Sequence, residues 1–192
     1  MKQINITRNQ GIVTFETVSI DATENVFFTN LDPQAAHWPT ISDNQIGPAP
    51  SPNSSQCTVP LPTGNPPFQV TYTCKIQGHG SEKGLINVFA QLAAGTTTLA
   101  PAITGQPIAK QQVVVGGMSP YTISGQLFQI TGRNNQSGAG IGPGLQLNAT
   151  TDNTGIWVTG TPTVSGTYNF TFTVNDAMGR NLQQVQYSMR VA

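Results

Sequence analysis

The chain has 192 residues, room for one large domain or two ordinary ones, and its 37% hydrophobic content is enough for two small cores. Only 8% of the residues are charged, the formal net charge is zero and Lys and Arg form no cluster. That removes the electrostatic footprint that nucleic acid or an anionic membrane requires. No run approaches the roughly eighteen apolar residues of a transmembrane span, so neither nucleic-acid binding nor membrane insertion is expected. With 20 glycines and 14 prolines, and no window that sustains a 3.6-residue apolar period, the chain reads as all-β.

Met1-Lys2-Gln3-Ile4 leads straight into a strand pattern instead of a signal-peptide apolar run. The charge-poor, Thr/Asn-rich composition suits an exported protein. Met1 is therefore read as standing where a signal has been removed, with a secreted, periplasmic or cell-surface location. Ile4, Ile6, Val13, Phe15 and Val18, broken by Asn9-Gln10-Gly11, predict two short strands and a turn. Val26-Phe27-Phe28-Thr29-Asn30 is apolar enough for a central strand. It runs into Leu31-Asp32-Pro33-Gln34-Ala35-Ala36-His37-Trp38-Pro39, where two prolines impose an irregular connection. From Ser42 to Pro67 a loop-rich insert is expected, because the prolines of Gly47-Pro48-Ala49-Pro50-Ser51-Pro52 lack ladder donors. This insert contains Cys57.

Phe68, Val70, Tyr72 and Cys74 alternate with polar residues at the strand period, so the Cys74 thiol points inward with the apolar side chains. A polar, glycine-containing loop with His79 follows, then Gly84-Leu85-Ile86-Asn87-Val88 as a return strand. One thiol and one imidazole at the edges of such a loop make a place to hold a metal. Beyond Phe89 the small residues of 92–98 suggest a linker, dividing the chain into domains at 1–91 and 99–192. In the second, Tyr168, Phe170, Phe172 and Val174 share one strand face, and Val185, Tyr187, Met189 and Val191 share the next, with Asp176-Ala177-Met178-Gly179 as the turn. Such a hairpin supplies half the core of a sandwich.

The segment Asn30-Leu31-Asp32…His37, followed by Tyr72-Thr73-Cys74…Gly78-His79…Gly84-Leu85-Ile86-Asn87-Val88, resembles the cupredoxin (blue-copper) family. Gly142-Pro143-Gly144-Leu145-Gln146-Leu147, Gly155 to Pro162 and Gly166-Thr167-Tyr168…Asn175-Asp176…Gly179-Arg180 resemble the Ig-like domains repeated on bacterial surface proteins. Together they imply two β-sandwich domains in tandem, a cupredoxin-like Greek key and then an Ig-like sandwich. The first resemblance implies one copper ion in a type 1-like site, with His37, Cys74 and His79 at the strong positions. The chain's two histidines both fall there. No methionine lies between Met1 and Met118 to serve as axial ligand. Anchoring on the Lys83-Gly84-Leu85-Ile86 strand puts Glu82 in that place, whereas counting forward from His79 gives Lys83 or Gly84; Glu82 is preferred. A carboxylate there is a harder ligand than a thioether and lowers the reduction potential.

The function expected on this footing is one-electron transfer to a partner protein, with the Ig-like domain as spacer or docking module. The alternative is a metal-free structural or adhesive subunit of a cell surface or filament. In it the chain's two cysteines, Cys57 and Cys74, form a disulfide and strand edges mediate self-association. The extended Lys2–Thr7 segment could then add as a strand to a neighbouring chain. A copper carrier is a third reading. No phosphate loop, Ser-His-Asp set or paired-carboxylate signal is present, so the chain is not expected to be an enzyme.

Overall fold

The computed structural model describes residues 1–41, 61–132 and 135–192, together with the backbone of 56–59. The chain is all-β and divides into two compact units, Met1–Ala90 and Gln91–Ala192, each a sandwich of two four-stranded sheets. Among the described residues no helix is long and apolar enough to cross a membrane.

The first unit contains β1 (Lys2–Asn9), β2 (Ile12–Phe15), β3 (Val18–Asp21), β4 (Val26–Asn30), β5 (Pro39–Ile41), β6 (Gln56–Val59), β7 (Phe68–Cys74) and β8 (Lys83–Phe89). One sheet has the order β2-β1-β4-β6 and the other β3-β8-β7-β5. The β1–β2 connection is a two-residue turn whose Gln10 and Gly11 have φ of 49° and 83°, the left-handed pair that a tight hairpin requires. β1 then pairs in parallel with β4, as β3 does with β8. The inward faces follow the period of two: Ile4 and Ile6, Val26 and Phe28, Val70, Tyr72 and Cys74, and Ile86 and Val88 are all buried in one core.

Two expectations change here. Lys2–Thr7 is not a loose extension that can be removed without disturbing the unit: it is most of β1. Lys2–Ile6 pair with β4, Ile6–Asn9 pair with β2, and Ile4 and Ile6 are wholly buried, so removing β1 dismantles the core. Within the expected insert, Gln56–Val59 is a strand that pairs antiparallel with β4 and sets Cys57 opposite Phe28. The proline-rich residues 47–52 and the Cys57 side chain lie outside the described residues.

The second unit comprises β9 (Ala93–Ala94), β10 (Gln111–Val115), β11 (Thr122–Thr131), β12 (Gln136–Ala139), β13 (Leu145–Ala149), β14 (Gly155–Gly160), β15 (Gly166–Asn175) and β16 (Asn181–Val191). Its sheets, β13-β14-β10-β9 and β12-β11-β15-β16, are antiparallel throughout. Tyr168, Phe170, Phe172 and Val174 from β15 and Tyr187, Met189 and Val191 from β16 line its core. The Tyr187 ring stacks on Phe172 at 4.9 Å, and its hydroxyl donates to the Val113 carbonyl of the facing sheet at 2.8 Å. Residues 92–98, expected as a linker, belong to this unit. Leu92 is buried in its core, β9 pairs with β10, and Thr98 bridges to Ser188.

Candidate metal centre

Three segments meet at one end of the β3-β8-β7-β5 sheet, where β7 ends, β8 begins and β5 begins. Cys74 is the last residue of β7, Glu82 immediately precedes β8, and His37 lies two residues before β5. The backbone holds them in place. Cys74 pairs with Pro39 across β5–β7, Lys75 N–H donates to Trp38 O at 2.9 Å, and Cys74 N–H donates to Glu82 O at 3.0 Å. The intervening loop is two successive turns, closed by His79 N–H to Ile76 O at 3.0 Å and Glu82 N–H to His79 O at 2.9 Å. In the first turn Gly78 has φ of 88°, the left-handed value that the third residue of a type II turn demands and a side chain disfavours. That turn is what returns His79 toward Cys74.

Packing beneath the loop is tight. The Tyr72 ring occupies the space where a Cβ at Gly84 would sit, stacks on Phe15 at 5.5 Å, and donates its hydroxyl to the Glu16 carbonyl. Phe15 in turn meets the His37 ring edge-on at 5.8 Å and 86°.

His37, Cys74, His79 and Glu82, all expected from sequence, come together: each offers one ligand atom, and these atoms lie within 4.8 Å of one another. Cys74 Sγ is 4.0 Å from His37 Nδ1 and 3.7 Å from His79 Nδ1. Glu82 Oε2 is 2.9 Å from His37 Nδ1 and 3.1 Å from His79 Nδ1. Donors held by one ion at about 2.0–2.3 Å can stand at most about 4.3 Å apart, and these four distances fall within that limit.

The electrostatics are those of a metal-free donor set. Cys74 is a free, buried thiol, and burial pushes its pKa up; N–H groups of Trp38, 3.3 Å from the sulfur, and of Ile76 act in the opposite sense, while Glu82 adds to the rise. His37 Nδ1 and Glu82 Oε2, 2.9 Å apart, face each other across the space where an ion would bind. On the far side of the same ring, Nε2 is 2.7 Å from Asp32 Oδ2. The Arg8 guanidinium, followed by the bonds from His37 and the Gln34 N–H, holds the Asp32 carboxyl well below the usual carboxylate range against the opposing effect of burial. Sequence reasoning assigned no role to Asp32 or Arg8. The available signal was a carboxylate five residues before His37 in a chain with few charges.

The donor chemistry fits copper and also fits zinc: one soft thiolate, two imidazoles and one hard carboxylate suit either borderline ion. No protein-family model matches the chain, and no curated protein matches it. Among solved structures it aligns with SGBP-B of the Bacteroides ovatus mixed-linkage glucan utilization locus, in complex with a mixed-linkage heptasaccharide. The alignment has 12% identity and a TM-score of 0.26, and covers 90% of this chain and 42% of the other. This chain therefore spans less than half the length of that neighbour.

Proposed function

We propose that the first unit binds one copper ion through His37, Cys74, His79 and Glu82 and serves as a one-electron carrier for a partner protein outside the cytoplasm. The observation that carries this reading is the convergence of a buried thiol, two imidazole Nδ1 atoms and a carboxylate within 4.8 Å, from segments up to 45 residues apart. Copper bound there supplies a Cu(II)/Cu(I) couple. The protein's part is to hold the donors still. Cys74 gives up its proton to become the thiolate ligand, and two backbone N–H groups already face its sulfur. The paired turns, the β5–β7–β8 ladder and the Phe15–Tyr72 packing fix the ligands whichever charge the ion carries, which keeps reorganisation on electron transfer small. The cupredoxin resemblance of the sequence points the same way. The second unit, which brings no such cluster of its own among the described residues, fits a spacer or docking role.

The test is the visible absorption spectrum after reducing the protein, removing the reductant and adding one equivalent of Cu(II) without oxygen. An intense thiolate-to-copper band, lost in Cys74→Ser and kept in Cys57→Ser, is expected. A protein that stays colourless defeats the copper reading and favours a metal-free surface or filament subunit.

A further inference from the structure

Behind His37 the structure buries a carboxylate that the donor set does not use. Asp32 is fully buried, and its carboxylate accepts from Arg8 and from the Gln34 N–H. Arg8 Nε approaches its two oxygens at 2.9 and 3.0 Å, and Arg8 Nη2 lies 2.8 Å from Oδ2. Gln34 N–H donates to Oδ1 at 2.8 Å, and His37 Nε2 stands 2.7 Å from Oδ2. Arg8 is itself held by a bond from Nη1 to the Gly11 carbonyl at 3.2 Å. A carboxylate so surrounded accepts and does not donate, so the ring nitrogen facing it carries hydrogen. That fixes the other nitrogen, Nδ1, on the side of Cys74 and Glu82. A flipped ring would set Nε2 toward the cluster and surrender the 2.7 Å bond in a place where neither side chain is exposed.

Packing alone does not account for such a pair. A buried ion pair recovers its desolvation cost only with good geometry, and apolar residues of the same volume often serve stability as well or better. What apolar residues cannot do is dictate which imidazole nitrogen points where.

We propose that Asp32 is a positioning residue of the metal centre: anchored by Arg8, it sets the tautomer and orientation of His37 so that Nδ1 is the ligand atom, and it places negative charge behind that ligand. This inference rests on the metal reading above. A carboxylate behind a ligating imidazole makes the imidazole a stronger donor, favouring Cu(II) over Cu(I) and drawing the reduction potential down.

The test uses the full chain and the double variant Arg8→Gln/Asp32→Asn, which replaces the charged pair by a neutral hydrogen-bonded one and strands no charge. Three quantities are read: Cu(II) and Zn(II) affinity by chelator competition, the copper reduction potential, and the protonation of His37 Nε2 by long-range 1H–15N correlation on the metal-free wild type. The expected result is an Nε2 proton in the wild type, affinity for both ions about 10–100-fold weaker in the variant, and a higher potential. Wild-type affinity and potential in a folded double variant overturn the proposal, and so does a bare Nε2 in the wild type, even if the variant does not fold. A wild-type protein that takes up Zn(II) but shows no thiolate-to-copper band defeats the copper reading alone, because the Nε2 proton and the Zn(II) comparison still decide the role of Asp32.

Discussion

Glu82 reaches across 45 residues of sequence to place Oε2 at 2.9 Å from His37 Nδ1, and the same oxygen lies 3.1 Å from His79 Nδ1. One carboxylate oxygen thus touches both imidazoles that the metal reading assigns as ligands. Replacing it by a thioether should soften the fourth donor while leaving the other three in place. Glu82→Met is expected to raise the reduction potential and to move the visible spectrum toward that of a blue centre. Spectroelectrochemistry on the copper-loaded variant checks this. An unchanged potential and spectrum would remove Glu82 from the ligand set.

The Cys74 thiol has to lose its proton before it can ligate, and burial, the leading cause, holds its pKa above the ordinary value. The metal-free protein therefore keeps the proton through neutral pH, and uptake of an ion must expel it. Apparent Cu(II) affinity should climb by at least about tenfold per pH unit between roughly pH 6 and 8. Chelator competition at several pH values measures this slope. A flat profile would mean that the thiol takes no part.

At Gly84 a single methyl group has nowhere to go, since the Tyr72 ring fills that space and Tyr72 is fully buried. Gly84→Ala is expected to destabilise the first unit by about 1–3 kcal/mol, the usual scale of overpacking. Thermal unfolding of the metal-free protein supplies the comparison. Equal stability would show that the Tyr72–Gly84 contact relaxes freely.

In the second unit the Tyr187 hydroxyl ties β16 to the Val113 carbonyl of the opposite sheet at 2.8 Å in a buried setting. Tyr187→Phe should cost that unit about 1–2 kcal/mol by denaturant titration, because the carbonyl loses its partner away from water. Copper uptake by the variant should match the wild type, since the four donors lie within the first unit. Weakened uptake would contradict an independent second core.

The four converging residues were legible in the sequence because each carries a local mark. Cys74 sits at an inward position of a regular alternation, His37 and His79 are the chain's two imidazoles, and Glu82 directly precedes a strand whose partner is evident. The core of β15 and β16 was legible for the same reason of period. β6 was not, because four residues among prolines become a strand only by pairing with Thr29 to Val26, some thirty positions away. Residues 92–98 mislead differently: small side chains suggest a flexible linker, yet a Cβ at Gly95 would meet the Gln112 carbonyl oxygen at 2.7 Å, so smallness there serves close backbone approach. The roles of Arg8 and Asp32 depend on a contact across 24 residues that no periodicity announces.

That same contact bears on when the centre can exist during folding. Arg8 comes from β1, His37 from the connection after β4, and Glu82 from the threshold of β8, the last strand of the unit. No fragment emerging from the ribosome holds the full donor set until Glu82 is made, and contacts this distant in sequence form only after long loops close. On the metal reading, tight binding by all four donors would be a property of the finished domain, and metal uptake would serve as a readout of completed folding.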